Sequence, residues 1–186
     1  NTSAVIDEAI RSLREISNNL SPHILTNFGL ARGIKNFVDR ITAMQNREIL
    51  FRTRLGDERF DANIEVILYR VVCELVNNSL KHSDCSRIFI ELNTVGDKIV
   101  VDYNDNGKGF SLRDVENQGM GLSNIKSRIS SLGGKIRIES KPGNGMSAHI
   151  EVGINGSIVH LADDLYEQVY GKKRHGRKKH SRSAGR

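Results

Sequence analysis

Three short segments carry side chains and glycines that ordinary packing does not call for. The first is Glu74-Leu75-Val76-Asn77-Asn78-Ser79-Leu80-Lys81-His82. Glu74, Asn78 and Lys81 follow one another at helical spacing and can share one face of a helix. Asparagine is costly in a helix interior because its amide competes for backbone hydrogen bonds, so the pair Asn77-Asn78 is hard to explain by helix stability. An uncharged amide oxygen suits a Mg²⁺ ion already held by phosphates and water. Lys81 and His82 would add positive charge there, although a helix C-terminus also favours them through its dipole.

The second segment, Asp105-Asn106-Gly107-Lys108-Gly109-Phe110, follows a β-rich run. A carboxylate at a strand end, with glycines at alternate positions behind it, lets one acceptor and bare backbone approach a flat ligand closely. Such a carboxylate can accept a hydrogen bond from an exocyclic amine. The same residues also make an ordinary turn. The third segment, Gly119-Met120-Gly121-Leu122, opens a helix. Unobstructed amides at a helix N-terminus form a phosphate site. Between the second and third segments, residues 111–118 are polar and lack a core pattern, which fits a lid.

The elements that must position these segments follow from periodicity. Apolar residues at Ile6, Ile10, Leu13, Ile16 and Leu20 come close to a heptad, predicting an amphipathic or coiled-coil helix that Pro22 ends or turns. Because the chain opens directly into that helix, we expect a piece of a longer protein. A second helix is expected over residues 30–44, with Ile34, Phe37, Val38 and Ile41 on one face, and a short strand over 48–54. Residues 63–82 give the widest apolar stripe and predict a core helix. Two hairpins are expected, 87–92 with 98–103 and 135–140 with 146–154, separated by a helix that stops at Gly133-Gly134. This order predicts an α+β, two-layer sandwich: a mixed sheet covered by helices on one face.

Composition limits the alternatives. Hydrophobic residues make up 38% and charged residues 27% of 186 residues, ordinary globular usage for one domain with short appendages. No run approaches the ~18 apolar residues of a membrane span, and we expect the chain as given to be soluble. Cys73 and Cys85 are too few for a disulfide scaffold and have no zinc-site spacing. The net charge of +6 comes from residues 171–186, which hold eight of the 28 Lys and Arg and no acid. Residues 1–170 therefore carry 20 basic against 22 acidic side chains, or −2. The basic character belongs to a tail expected to be disordered.

In this order, the three segments resemble the N, G1 and G2 boxes of the ATPase superfamily shared by gyrase, Hsp90, MutL and the histidine kinases. The Asn-x-x-Lys-His ending is most similar to the histidine kinases. Leu20-Ser21-Pro22-His23-Ile24-Leu25-Thr26-Asn27-Phe28-Gly29-Leu30 resembles the linker of the subfamily that includes nitrate-responsive sensor kinases. The resemblance implies the Bergerat ATP-binding fold over residues 23–154. A partial dimerisation helix at 1–22 would precede it, and an appended segment (155–170) and the basic tail (171–186) would follow. It implies ATP and Mg²⁺ as ligands, with Asn78 on the metal and Asp105 on the adenine amino group. Gly107 and Gly109 would admit the base, Gly119 and Gly121 would form the phosphate end of the lid, and Lys81 and His82 would lie near the phosphates. Glu74 takes the acidic position that activates water in hydrolysing relatives and could orient the acceptor in a kinase.

The implied reaction is transfer of the ATP γ-phosphoryl group to a histidine. The family's acceptor lies in a Leu-His-Asp segment, which this sequence lacks, and His23 matches a variable linker position. The chain is thus expected to bind ATP without phosphorylating itself. Expected partners are a dimerisation and phospho-acceptor domain, a response regulator, and a second copy in the full-length protein. The expected setting is the cytoplasmic part of a bacterial membrane-bound sensor. Met146 stands where relatives usually carry threonine, a lost hydroxyl near the base. Residues 158–164 look like the first strand and acidic pair of a receiver domain but better suit a short amphipathic helix or strand packed on the domain. Two other readings share parts of the pattern: a serine kinase of the anti-sigma-factor type, disfavoured by the N-terminal heptad, and a nucleic-acid module acting through the tail, disfavoured by the −2 balance of the remainder.

Overall fold

The wide apolar stripe of residues 63–82 folds as one helix, Ala62–His82, and buries Ile64, Leu68, Val71, Val72, Leu75 and Val76. Its start is set by Asp61, whose carboxylate accepts from the Asn63 N–H at 2.9 Å and satisfies one of the helix's free amides. The computed structural model describes residues 21–44, 47–112 and 120–154. Within them the elements run α1 (Ser21–Met44), β1 (Glu48–Thr53), α2 (Ala62–His82), β2 (Arg87–Val95), β3 (Lys98–Asp105), α3 (Met120–Ser131), β4 (Lys135–Ser140) and β5 (Met146–Gly153). The expected N-terminal heptad, the receiver-like segment and the basic tail lie outside the described residues.

The five strands form one sheet in the order β1-β2-β3-β5-β4, with β1 parallel to β2 and every other pair antiparallel. Alternate residues of β3 (Ile99, Val101, Tyr103) and β5 (Ala148, Ile150, Val152) are buried, while Asp102, His149 and Glu151 between them reach solvent. One face is therefore packed and one is wet, as antiparallel sheets allow. Helix α2 lies on the packed face, where the Tyr103 hydroxyl comes within 3.2 Å of the Leu75 carbonyl. The first hairpin turns in two residues, Gly96-Asp97, with Gly96 at φ 61°. Helix α3 stops as expected: the Gly134 and Gly133 N–H groups bond back to Ile129 and Ser130, and Gly133 takes φ 64°.

The segment read as a linker departs from expectation, because it is itself helical from Ser21 up to a break at Gly29 (φ 76°, ψ 178°). Packing and an ion pair account for this. Leu25 is buried in a notch that exists because residue 33 is glycine; a Cβ there would stand 2.8 Å from the Leu25 side chain. Arg59 donates to the Leu25 and Thr26 carbonyls, both at 3.0 Å, just ahead of the break. Its guanidinium also grips both oxygens of Glu65 at 3.1 Å, and the Phe60 N–H adds a third donor at 3.0 Å. Glu65 is only 1% exposed, so its charge depends on these donors.

Arg59→Met should lower the unfolding midpoint because it strands that carboxylate, and Arg59→Met with Glu65→Leu should recover part of the loss. Urea unfolding of both variants checks this. On the wet face, His149 Nδ1 lies 2.7 Å from Asp102 Oδ1, and its Nε2 lies 3.4 Å from Glu151, which Lys98 also holds at 2.8 Å. The hydrogen bond to Asp102 raises the imidazole pKa above its ordinary value; partial burial opposes this and Glu151 reinforces it. The contribution is complete below the ordinary histidine pKa and disappears as pH rises through the raised value. Replacing His149 by Asn should therefore cost a few tenths of a kcal/mol near pH 5.5 and almost nothing near pH 8.5, read from urea midpoints at the two pH values.

Candidate functional site

The last turns of α2, the loop after β3, the start of α3 and the start of β5 converge on one cleft of about 560 Å³. That is room for a small organic ligand. Asn78, Lys81 and His82 reach it from α2, Asp105 from the end of β3, Lys108 and Gly109 from the loop that follows, and Gly121 from α3. Phe110, Leu122 and Met146 supply apolar walls. Of the asparagine pair, Asn78 lines the cleft. Asn77 is buried, and its Oδ1 has no hydrogen-bond partner among the described residues.

Asp105 sits at the end of β3, 8% exposed. Its Oδ1 accepts the Gly107 N–H at 2.8 Å and its Oδ2 accepts the Ser79 hydroxyl at 2.7 Å. The Tyr103 hydroxyl, fully buried, stands 2.7 Å behind Ser79. Burial pushes the Tyr103 pKa well above its ordinary value, so the phenol stays a donor.

The glycines of this loop answer first to the protein's own backbone. The Lys108 N–H donates to the Ser83 carbonyl at 2.7 Å, which lays the loop across the end of α2. A Cβ on Gly107 would overlap that same carbonyl. Gly109 (φ 60°) passes so close to the Lys141 carbonyl, and Gly145 (φ 68°) so close to the Asp105 carbonyl, that no side chain fits at either. Gly107 is buried and does not line the cleft, whereas Gly109 does. The sequence offered base entry as the use of both glycines; close backbone crossing is a second demand that spacing alone does not reveal.

Gly121 brings α3 to the asparagine segment. A Cβ there would lie 3.7 Å from the Asn78 amide nitrogen and 3.9 Å from a Glu74 oxygen, in ordinary van der Waals contact. Glu74 is thus at the rim beside Gly121, half-buried. Gly119 and most of the expected lid, residues 113–119, lie outside the described residues. Met146 is 6% exposed and pairs with Asp105 across β3 and β5, so its apolar side chain borders the carboxylate.

Reading the sequence missed Ser79, Tyr103, Lys108, Phe110 and Leu122. Tyr103 carried a usable signal: it shares a strand face with Asp105, and a buried tyrosine hydroxyl must find a partner. Among the described residues no group of three or more His, Cys, Asp or Glu side chains is arranged so that it could hold a metal ion. The donor set at Asn78 therefore fits a cation that arrives with its own phosphate oxygens, rather than one caged by protein.

Comparison with known proteins agrees with this geometry. Residues 63–155, half of the chain, match the family described as histidine kinase-, DNA gyrase B-, and HSP90-like ATPase. The sensor histidine kinase ComP of Bacillus subtilis (strain 168) is 35% identical over 153 residues, covering 79% of this chain and 19% of ComP. This chain thus spans about a fifth of that relative's length. The solved histidine kinase domain of the Erythrobacter litoralis EL346 blue-light activated histidine kinase shares the fold, with a TM-score of 0.58 and 18% identity over 73% of this chain and 65% of that one. The EL346 blue-light activated histidine kinase itself gives 0.54 and 19%, over 68% and 41%. With its mixed five-stranded sheet, its cleft and its matching residues, the chain belongs to the histidine kinase-, DNA gyrase B- and HSP90-like ATPase family.

Proposed function

We propose that the chain is the ATP-binding catalytic domain of a two-component sensor histidine kinase, acting on a histidine outside these 186 residues. The observation that carries this reading is the set of residues that the cleft gathers. One lining brings together a fixed acceptor, Asp105, the apolar side chains of Phe110, Leu122 and Met146, and the amide, ammonium and imidazole of Asn78, Lys81 and His82. An adenine base suits the acceptor and the apolar walls, and a triphosphate suits the amide and the cationic side chains.

In this reading Asp105 accepts the adenine amino group while Phe110, Leu122 and Met146 shield the ring from water. Asn78 holds Mg²⁺ together with phosphate oxygens. Lys81 and His82, and the amides at Gly119 and Gly121, offset phosphate charge. ATP supplies the γ-phosphoryl group, and Glu74, beside Gly121, orients the incoming acceptor nitrogen. Little covalent chemistry is asked of the protein; positioning and electrostatics carry the rate.

The partners in this reading are a dimerisation domain bearing the phospho-acceptor, a second copy of the full-length chain, and a response regulator. No described helix is long and apolar enough to cross a membrane. The setting proposed is the cytoplasmic side of a membrane-bound sensor. Neither the anti-sigma-factor-type serine kinase nor the nucleic-acid module gains support from the relatives, which are described as sensor histidine kinases.

Calorimetric titration with ATP, with and without Mg²⁺, tests the proposal. Asp105→Asn should weaken binding about 10- to 100-fold, because a charge-assisted hydrogen bond is lost and an amide N–H₂ faces a donor. Asn78→Ala should bind ATP about equally with and without Mg²⁺. Absence of binding by the unaltered chain, or indifference to both substitutions, would overturn the assignment.

A further inference from the structure

A line of hydroxyl groups runs from the core to the cleft, and the residues assigned above do not use it. Tyr103 lies in the sheet interior, fully buried. Its hydroxyl is 2.7 Å from Ser79 Oγ, and Ser79 Oγ is 2.7 Å from Asp105 Oδ2. Ser79 lines the cleft and Tyr103 does not. The alternative acceptor for Tyr103, the Leu75 carbonyl, is farther away at 3.2 Å. The shorter contact sets the direction of the chain: Tyr103 donates to Ser79, and Ser79 donates to Asp105.

The consequence falls on Asp105. One oxygen is held by the Gly107 amide and the other by the Ser79 hydroxyl. Both donors fix the plane of the carboxylate, and the lone pairs left over face the cleft as acceptors only. Without Ser79, one oxygen loses its donor and the group can turn about its Cβ–Cγ bond. Resting on the ATP reading, we infer that Ser79 and, behind it, Tyr103 are positioning residues that orient Asp105 and so make the pocket select a base edge bearing an amine. A base presenting a carbonyl at that edge would set oxygen against oxygen, which costs more than a missing contact.

The test measures binding of ATP and of the triphosphate of purine riboside, which lacks the exocyclic amine, to the unaltered chain, Ser79→Ala, Ser79→Thr and Tyr103→Phe. The unaltered chain should prefer ATP by about tenfold or more. Ser79→Ala should bind ATP about tenfold more weakly and the des-amino analogue less than twofold more weakly, so that the preference collapses. Ser79→Thr, which keeps the hydroxyl, should restore it. Tyr103→Phe should lower the preference by a smaller factor, since Ser79 remains.

Thermal unfolding separates the relay from a packing effect. Tyr103 keeps the Leu75 carbonyl when Ser79 is lost, so Ser79→Ala should stay folded. An equal loss for both nucleotides, or no loss for either, would sink the relay while leaving Asp105 in place. A chain that never distinguished the two nucleotides would sink the adenine reading itself, and the relay with it.

Discussion

The crossing of two backbones organises this domain: the loop after β3 lies over the last turn of α2, held by the Lys108 N–H on the Ser83 carbonyl. Everything that faces the cleft is placed relative to that crossing. It brings Asp105 next to Ser79, and it leaves no room for a side chain at residue 107. It also lets the 141–145 turn close over the loop, where the Gly143 N–H reaches the Lys108 carbonyl at 2.6 Å and Ser140 Oγ bonds both Phe110 and Gly145. Such close approach is open only to glycine, so the glycine spacing is a mark of packing before it is a mark of ligand.

A mostly antiparallel sheet with one wet face makes such a site economical. Inward residues of β3 and β5 close the core against α2, and the sheet's two-residue period then puts Tyr103 and Asp105 on the same side. The site is therefore an extension of the core rather than an addition to it. The hydroxyl of Tyr103 is core by burial and site by hydrogen bonding.

Much of this was legible in the sequence. The stripe of 63–82 predicted α2 to within a residue, Gly133-Gly134 marked the end of α3, and the β4 limits match the run 135–140. Those signals are local, since apolar spacing and glycine at a helix end act within a few residues. The helical state of residues 21–28 was not legible, because it depends on a notch at Gly33 and on Arg59, more than 30 residues from Leu25 and Thr26. The Ser79 contact was hidden for the same reason: Asp105 is 26 residues away, and a serine beside two asparagines gives no sign of which neighbour it will meet. Asn78 and Asn77 are alike in the sequence, and only the fold assigns one to the cleft.

Arg59 is bonded at once to the carbonyls of Leu25 and Thr26 and to Glu65 in the first turn of α2. The chain therefore enters the domain without slack. Residues 25 and 26 are thus tied to the near end of α2, a helix of 21 residues and about 30 Å in length. Its far end carries Asn78, Lys81 and His82 into the cleft. The helix that holds the polar groups of the site is thus also the one that Arg59 ties, at its other end, to residues 25 and 26.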